Sequence, residues 1–127
     1  MGTLSTVKVL VVDDNAEVRN GLAKVLRRAG FDVYTAGHGL EALAELERRS
    51  FDAIVSDIMM PVMDGMRFHE TIIQRYPDMA RRVLFISAWF DDPKVKSFLD
   101  STGCPVLSKP FDISDFVTRV KQVAETA

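Results

Sequence analysis

Five short apolar runs alternate with five segments of helical periodicity, and this alternation limits the possible folds more than any other feature of the chain. The runs are rich in β-branched and aromatic residues and cover residues 7–12, 31–36, 51–56, 83–87 and 106–108. Such runs predict β-strands. Strands that alternate with helices form a parallel sheet with right-handed crossovers and helices on both faces. The sequence therefore predicts an α/β fold of the doubly wound class.

Between the runs, apolar residues recur at the spacing of an α-helix and mark the faces expected to pack on the sheet. The third helix is predicted over residues 64–76, where Pro77 ends it, and the fourth, over about 92–100, is only weakly patterned. The stripes of the first, second and fifth helices consist of Val18, Leu22, Val25, Leu26 and Ala29, of Leu40, Leu43 and Leu46, and of Ile113, Phe116, Val117, Val120 and Val123. We predict that these stripes belong to the core.

Capping residues support the same boundaries. Asp112 is predicted to be the N-cap of the last helix, with Phe111 and Phe116 as a hydrophobic staple. Gly30 and Gly103 follow helices at points where a left-handed C-cap is usual.

Composition narrows the class of protein. The 127 residues suit one domain, and a hydrophobic share of 47% is enough for a self-sufficient core. A formal net charge of −2 gives no basic excess that would favour nucleic acid or an anionic membrane surface. No apolar run approaches the roughly 20 residues of a membrane span, and no secretory signal is recognisable. We therefore expect a cytoplasmic protein that binds neither nucleic acid nor membranes.

Polar residues follow four of the five predicted strands. Asp13 and Asp14 end the first strand, Asp57 the third, Ser87 the fourth and Lys109 the fifth. Ligands of open parallel sheets bind beyond the carboxyl ends of the strands. Each residue also has a simpler interpretation: a helix cap completed by a capping box with Glu17 in the case of Asp14, and an ordinary loop or surface residue in the others. Three acids at one edge would nonetheless repel each other and raise their pKa values unless a cation intervenes.

A divalent cation would resolve this conflict. Oxygen ligands at a partly hydrated site suit Mg²⁺. Zinc is not favoured, because Cys104 is the single cysteine and His38 and His69 lie in other segments, where we interpret them as loop and helix-surface residues. Mg²⁺ beside a lysine and a hydroxyl group indicates phosphoryl chemistry with a carboxylate nucleophile. No Gly-rich nucleotide-binding motif is present.

The four motifs together resemble the receiver domain of two-component response regulators, over essentially the whole chain. They are the runs at residues 9–15 (VLVVDDN), 57–65 (DIMMPVMDG), 87–88 (SA) and 109–111 (KPF). The resemblance implies a flavodoxin-like (βα)5 fold, with a five-stranded parallel sheet of order 2-1-3-4-5. It also implies that residues 1–127 form one receiver domain without an output domain.

The resemblance further implies roles for individual residues. Asp57 would accept a phosphoryl group from the phosphohistidine of a sensor histidine kinase or a histidine phosphotransfer protein. Ser87 and Lys109 would contact the attached group. Mg²⁺ would be held by Asp13, Asp14, Asp57 and the backbone carbonyl of Met59. Backbone groups of Ile58, Met59 and Ala88 would bind the phosphoryl oxygens, and the peptide bond between Lys109 and Pro110 would be cis. Pro61 and Gly65 would shape the loop after the acceptor.

Phosphorylation would then draw in Ser87 and change the face formed by helix four, strand five and helix five, where a downstream protein could bind. Most receivers carry an aromatic residue at the position of Val106, so coupling through an aromatic rotamer is not available here. Trp89 is a candidate substitute. The run at residues 82–111 is more similar to receivers attached to hybrid histidine kinases than to chemotaxis receivers.

Two other functions stay open at this point. An Mg²⁺-dependent phosphatase would also use an aspartate nucleophile, but it commonly has a second acid at the position that Met59 occupies. A pseudo-receiver that only binds protein would not need all the polar residues of the site. We therefore expect a phosphoryl-accepting switch or relay module that catalyses only its own phosphorylation and dephosphorylation and is not a turnover enzyme.

Overall fold

Residues 6–58, 64–88 and 92–125 are described by the computed structural model of the chain. Five strands and five α-helices alternate over these residues, as predicted. The elements are β1 (Lys8–Val12), α1 (Ala16–Arg28), β2 (Asp32–Ala36), α2 (Gly39–Arg48), β3 (Ala53–Asp57), α3 (Gly65–Arg75), a 3-10 helix (Pro77–Met79), β4 (Val83–Ser87), α4 (Pro93–Thr102), β5 (Val106–Ser108) and α5 (Ile113–Ala124).

All strands are parallel and lie in the order β2-β1-β3-β4-β5, which confirms the predicted doubly wound topology. The central strands β1, β3 and β4 are almost completely buried, because helices cover both faces of the sheet. Strand β5 is a short edge strand. The carboxyl ends of β1, β3, β4 and β5 therefore meet along one edge of the sheet.

The apolar core forms two layers, one on each face of the sheet. Alternate residues of a strand enter different layers, so Leu10 and Val12 face one layer while Val9 and Val11 face the other. Helices α2, α3 and α4 cover the first layer, and α1 and α5 cover the second. None of the helices in the described part of the chain is long and apolar enough to cross a membrane.

Three residues of the predicted helical stripes are not in the core. Leu40 is 49% exposed and Ile113 is 63% exposed, and Ala29 is exposed as well. Each lies in the first turn of its helix or just beyond the last, and at these helix ends periodicity no longer indicates burial. The prediction for these three positions was wrong, whereas Leu22, Leu26 and the apolar residues in the middle of α5 are buried or half-buried.

The helix ends largely agree with the capping residues. Gly30 and Gly103 both have positive φ angles and follow helices, as expected for left-handed C-caps. The rings of Phe111 and Phe116 stack at 5.4 Å between centroids, which is the predicted staple. Asp112 is the N-cap of α5, but its side chain makes no capping hydrogen bond.

The interpretation of His69 as a helix-surface residue was wrong. Its side chain is only 3% exposed and packs edge-on against the rings of Phe85 and Phe98. Its Nε2 lies 3.1 Å from the carbonyl oxygen of Ala80 and 3.4 Å from the Sγ of Cys104. His69 therefore belongs to the core between α3, β4 and α4, and burial raises the pKa of the Cys104 thiol beside it.

Candidate functional site

Every polar group of Asp13 takes part in a hydrogen bond or an ion pair. It directly follows β1, is fully buried, and donates its backbone N–H to the carbonyl of Ala36 at 3.2 Å. One carboxylate oxygen accepts from the backbone N–H of Asn15 at 3.0 Å, and the other faces the ammonium of Lys109 at 3.4 Å. The backbone carbonyl accepts from the guanidinium of Arg19 at 2.8 Å. A buried carboxylate with this many partners has a fixed orientation.

Asp14 follows Asp13 at the same edge of the sheet and is exposed to solvent. The capping interpretation of this residue is not correct, because Asn15 is the N-cap of α1 and accepts from the N–H of Val18 at 3.1 Å. The carboxylate of Asp14 is therefore not required to begin the helix.

Asp57 is the last residue of β3 and is only 8% exposed. Burial raises the pKa of its carboxyl group, and the carboxylate of Asp13 adds to this rise. The ammonium of Lys109 and the backbone N–H of Ile58 act in the opposite direction without cancelling it. The ionised form of Asp57 is therefore disfavoured in the folded protein and would be stabilised by additional positive charge.

Gly65 contacts the backbone beside Asp57 very closely. Its N–H donates to the carbonyl of Ile58 at 2.7 Å, and a Cβ at this position would lie 2.6 Å from the carbonyl oxygen of Asp57. No side chain fits there without a shift of the backbone. The glycine thus brings the first turn of α3 directly against the end of β3, as its place in the loop implied.

Lys109 follows β5 and joins the two buried acids. Its Nζ lies 3.3 Å from Asp57 and 3.4 Å from Asp13, and its backbone N–H donates to the carbonyl of Ser87. Burial alone would lower the pKa of the Lys109 ammonium, but the two carboxylates outweigh it and raise the pKa. The peptide bond between Lys109 and Pro110 is cis.

The remaining predicted residues fall into two groups. Ser87 is buried at the end of β4, Ala88 is exposed immediately after it, and Val106 lies half-buried on β5 opposite Phe85. The predictions for Met59, Pro61 and Trp89 lie outside the described residues.

The acids together form a suitable set of ligands for a metal ion. One carboxylate oxygen from each of Asp13, Asp14 and Asp57 lies within 4.8 Å of the others. Among the described residues, this is the one group of three acidic, histidine or cysteine side chains with such spacing. Lys109 is the ammonium that pairs with the cluster within the described part of the chain, and the pKa of Asp57 is raised despite it, so the three carboxylates fit a hard divalent cation.

The chain matches the family model described as "Response regulator receiver domain" over residues 9–121. The chain belongs to this family. As a receiver domain it is a phosphoryl-accepting signalling module of two-component systems, and its acidic pocket of Asp13, Asp14 and Asp57 fits phosphorylation and Mg²⁺ binding.

Known relatives of the receiver domain include both kinases and regulators. It is 39% identical to the transcriptional regulatory protein PrrA of Mycobacterium leprae over 93% of its own length and 50% of the relative. It is 32% identical to the sensor kinase CckA of Brucella abortus over 92% of its own length and 12% of the relative. The receiver domain thus spans half or less of the length of the curated relatives named here.

A solved structure of similar length supports the same assignment. The chemotaxis protein CheY4 of Vibrio cholerae superposes with a TM-score of 0.82 at 31% identity, and the match covers 94% of the receiver domain and 99% of CheY4.

Two residues of the site were not predicted from the sequence. Asn15 has the residue type that prefers N-caps and stands directly before the helical stripe, so capping preference could have identified it. Arg19 carries no such signal, because an arginine one turn into a helix is usually solvated. Only the fold brings its guanidinium to the carbonyl of Asp13.

Proposed function

We propose that Asp57 is the phosphoacceptor and that a phosphohistidine of a sensor histidine kinase or a histidine phosphotransfer protein is the donor. The observation that carries this proposal is the contact between Asp57 and Lys109. A nearly buried carboxylate at the carboxyl end of the central strand β3 lies 3.3 Å from an ammonium group that can pair with phosphoryl oxygens. Asp13, which follows the neighbouring strand β1, is fully buried, whereas Asp57 retains access to solvent and can be reached by a donor.

In the proposed reaction, a carboxylate oxygen of Asp57 attacks phosphorus in line with the phosphorus–nitrogen bond. A phosphorus–oxygen bond forms, the phosphorus–nitrogen bond breaks, and its electron pair returns to the imidazole of the donor, which takes up a proton. Lys109 pairs with the transferred oxygens. The hydroxyl of Ser87 and the backbone N–H groups of Ile58, Met59 and Ala88 donate to them. Before the reaction the N–H of Ile58 bonds the carboxylate of Asp57.

Asp13, Asp14 and Asp57 are the proposed ligands of Mg²⁺, together with the backbone carbonyl of Met59. When bound, the cation neutralises the charge that gathers on the phosphoryl oxygens. The residues of the chain contribute the rest, since Asp13 is orientated by its hydrogen bonds and Asp57 is prevented from turning away by its contact with Lys109.

The consequence for signalling is a shift between two conformations. An acyl phosphate on Asp57 adds negative charge beside Ser87 and draws its hydroxyl inward, which we propose alters the face formed by α4, β5 and α5, where a downstream protein binds. An aromatic rotamer does not contribute to this change at the position of Val106. We also propose that residues 1–127 form one cytoplasmic receiver domain, which catalyses only its own phosphorylation and dephosphorylation.

The experiment is incubation of the chain with Mg²⁺ and acetyl phosphate, followed by intact mass measurement. We expect one added phosphoryl group on the wild type and on Asp115→Asn, an exposed acid of α5 that serves as the matched control. Asp57→Asn should gain none. Labelling that persists in Asp57→Asn would show that another residue accepts the group, and turnover of ordinary phosphate monoesters would favour a phosphatase instead.

A further inference from the structure

Arg19 binds the backbone of Asp13, the first of the two acids that follow β1. It lies in the first turns of α1, and its Nη1 donates to the carbonyl oxygen of Asp13 at 2.8 Å. Its own backbone N–H donates to the carbonyl of Asn15 at 2.9 Å, so the start of the helix fixes the base of this side chain. The arginine therefore connects α1 to the end of β1.

The guanidinium of Arg19 lies against Gly37. A Cβ at Gly37, in the connection between β2 and α2, would lie 3.3 Å from Nη1 of Arg19 and 3.2 Å from a carboxylate oxygen of Glu41. Both separations are tighter than ordinary contacts between carbon and a polar atom. Gly37 thus leaves the space that the guanidinium occupies between the end of β1 and the start of α2.

The carbonyl that Arg19 binds controls the placement of Asp14. The carbonyl of Asp13 and the N–H of Asp14 belong to one planar peptide unit, so fixing the carbonyl fixes the direction in which the chain enters Asp14. The N–H of Asp13 belongs to the preceding peptide, and its carboxylate accepts from the N–H of Asn15 in a turn that spans the peptide between Asp13 and Asp14. Arg19 adds a hydrogen bond to the carbonyl of that peptide itself. The exposed carboxylate of Asp14 depends on the backbone for its position.

We propose that Arg19 is a positioning residue for the metal site, which holds the peptide between Asp13 and Asp14 so that both carboxylates are arranged before Mg²⁺ binds. This rests on the proposed function, in which these two acids are ligands. Arg19 does not contact the cation or the phosphoryl group; it acts through the backbone of Asp13.

Loss of the positive charge of Arg19 and loss of its hydrogen bond should change the affinity for Mg²⁺ in opposite directions. Substitution of Arg19 therefore tests the proposal. Removing a cation from the neighbourhood of three carboxylates should by itself tighten Mg²⁺ binding. Removing the bond that arranges the ligands should weaken it, since second-layer partners of metal ligands commonly contribute tenfold or more to affinity. Arg19→Gln should therefore raise the Kd for Mg²⁺ by roughly tenfold despite the loss of positive charge.

Two arginines of the same chain provide matched controls. Arg67 is exposed in the first turn of α3 near the same edge, so Arg67→Gln reports the effect of charge alone. Arg27, also on α1, donates to the carbonyl of Val33 at 2.9 Å near the opposite end of the sheet. Arg27→Gln removes the same kind of hydrogen bond from the same helix without touching the site.

The test is a calorimetric titration of Mg²⁺ into the wild type and the three variants, with hydrogen exchange of the metal-free proteins as a second readout. We expect weaker binding for Arg19→Gln alone, and faster exchange of the amides of Asp13 and Asn15 in that variant. Arg19→Lys, which keeps a charge and a donor, should bind Mg²⁺ with intermediate affinity and serves if Arg19→Gln does not fold.

The possible results separate the two proposals. Tighter binding in Arg19→Gln, equal to that in Arg67→Gln, would overturn the positioning role and leave the proposed function intact. Unchanged hydrogen exchange of the Asn15 amide in Arg19→Gln would also contradict the positioning role of Arg19. A wild type that binds no Mg²⁺ would overturn the proposed function and the role of Arg19 with it.

Discussion

The Nζ of Lys109 lies 3.3 Å from the Oδ2 of Asp57, although 52 residues separate them in the chain. The same ammonium reaches Asp13 at 3.4 Å, so a single positive charge serves two buried carboxylates from neighbouring strands. The pKa of Asp57 is nevertheless raised, chiefly by burial and further by the carboxylate of Asp13. The cluster of Asp13, Asp14 and Asp57 therefore fits a divalent cation.

Loss of the lysine should raise the pKa of Asp57 further. In Lys109→Met the burial of the carboxyl group and the repulsion from Asp13 remain, while the attraction that lowers the pKa is removed. Carboxyl-detected NMR titration measures the change, and Lys121→Met, an exposed lysine of α5, is the control. We also expect slower phosphorylation by acetyl phosphate. An unchanged titration of Asp57 would mean that the ion pair does not persist in solution.

Neutralising Asp57 should stabilise the metal-free fold at neutral pH. Because the folded-state pKa of Asp57 is raised above its ordinary value of 3.8, ionisation of this group destabilises the folded protein. Asp57→Asn should therefore melt at a higher temperature than the wild type in a chelating buffer. The difference should shrink as the pH falls through the raised pKa and be absent below 3.8, where the carboxyl group is protonated in both states. Asp78→Asn, at an exposed site, should show no such pH-dependent gain.

Magnesium should raise the melting temperature of the wild type, since the cation binds only the folded acid cluster. At a free concentration about 100 times the Kd, the gain corresponds to about 2.7 kcal/mol. Asp14→Ala should lose most of this shift because it removes one of the three carboxylates. Scanning calorimetry with and without Mg²⁺ measures the effect. An equal shift in Asp14→Ala would place the stabilising ion elsewhere.

Two glycines should respond to alanine in opposite directions. Gly65→Ala forces a Cβ to within 2.6 Å of the carbonyl of Asp57, so we expect a loss of about 1–3 kcal/mol in the free energy of unfolding and impaired phosphorylation. Gly21 lies in the middle of α1, where a Cβ would meet nothing within 4 Å beyond its own helix, so Gly21→Ala should gain about 0.5–1 kcal/mol. Urea denaturation measures both. Stabilisation by Gly65→Ala would show that the close approach to β3 is absent in solution.

The edge at which the polar residues gather could be predicted because parallel strands present their carboxyl ends together. The prediction of which helical residues are buried failed at the ends of helices, where periodicity no longer indicates burial. Leu40 and Ile113 continue an apolar stripe but are exposed, and His69 interrupts one but is buried. Periodicity reports the direction in which a side chain points, whereas its burial depends on what lies opposite.

The sequence by itself determined the alternation of strands and helices, the parallel sheet, and the placement of acids, hydroxyl and ammonium after the strands, since these follow from local patterns and from rules of chain connection. Only the tertiary structure decided that Asp13 is buried while its neighbour Asp14 is exposed, and that Arg19 reaches the backbone between them. The burial of Asp13 arises from contacts with elements far away in the chain, such as those with Ala36 and Lys109, and local sequence does not encode the distances between those elements. The contact of Arg19 with Asp13 spans only six residues, but it depends on how α1 is placed against the end of β1.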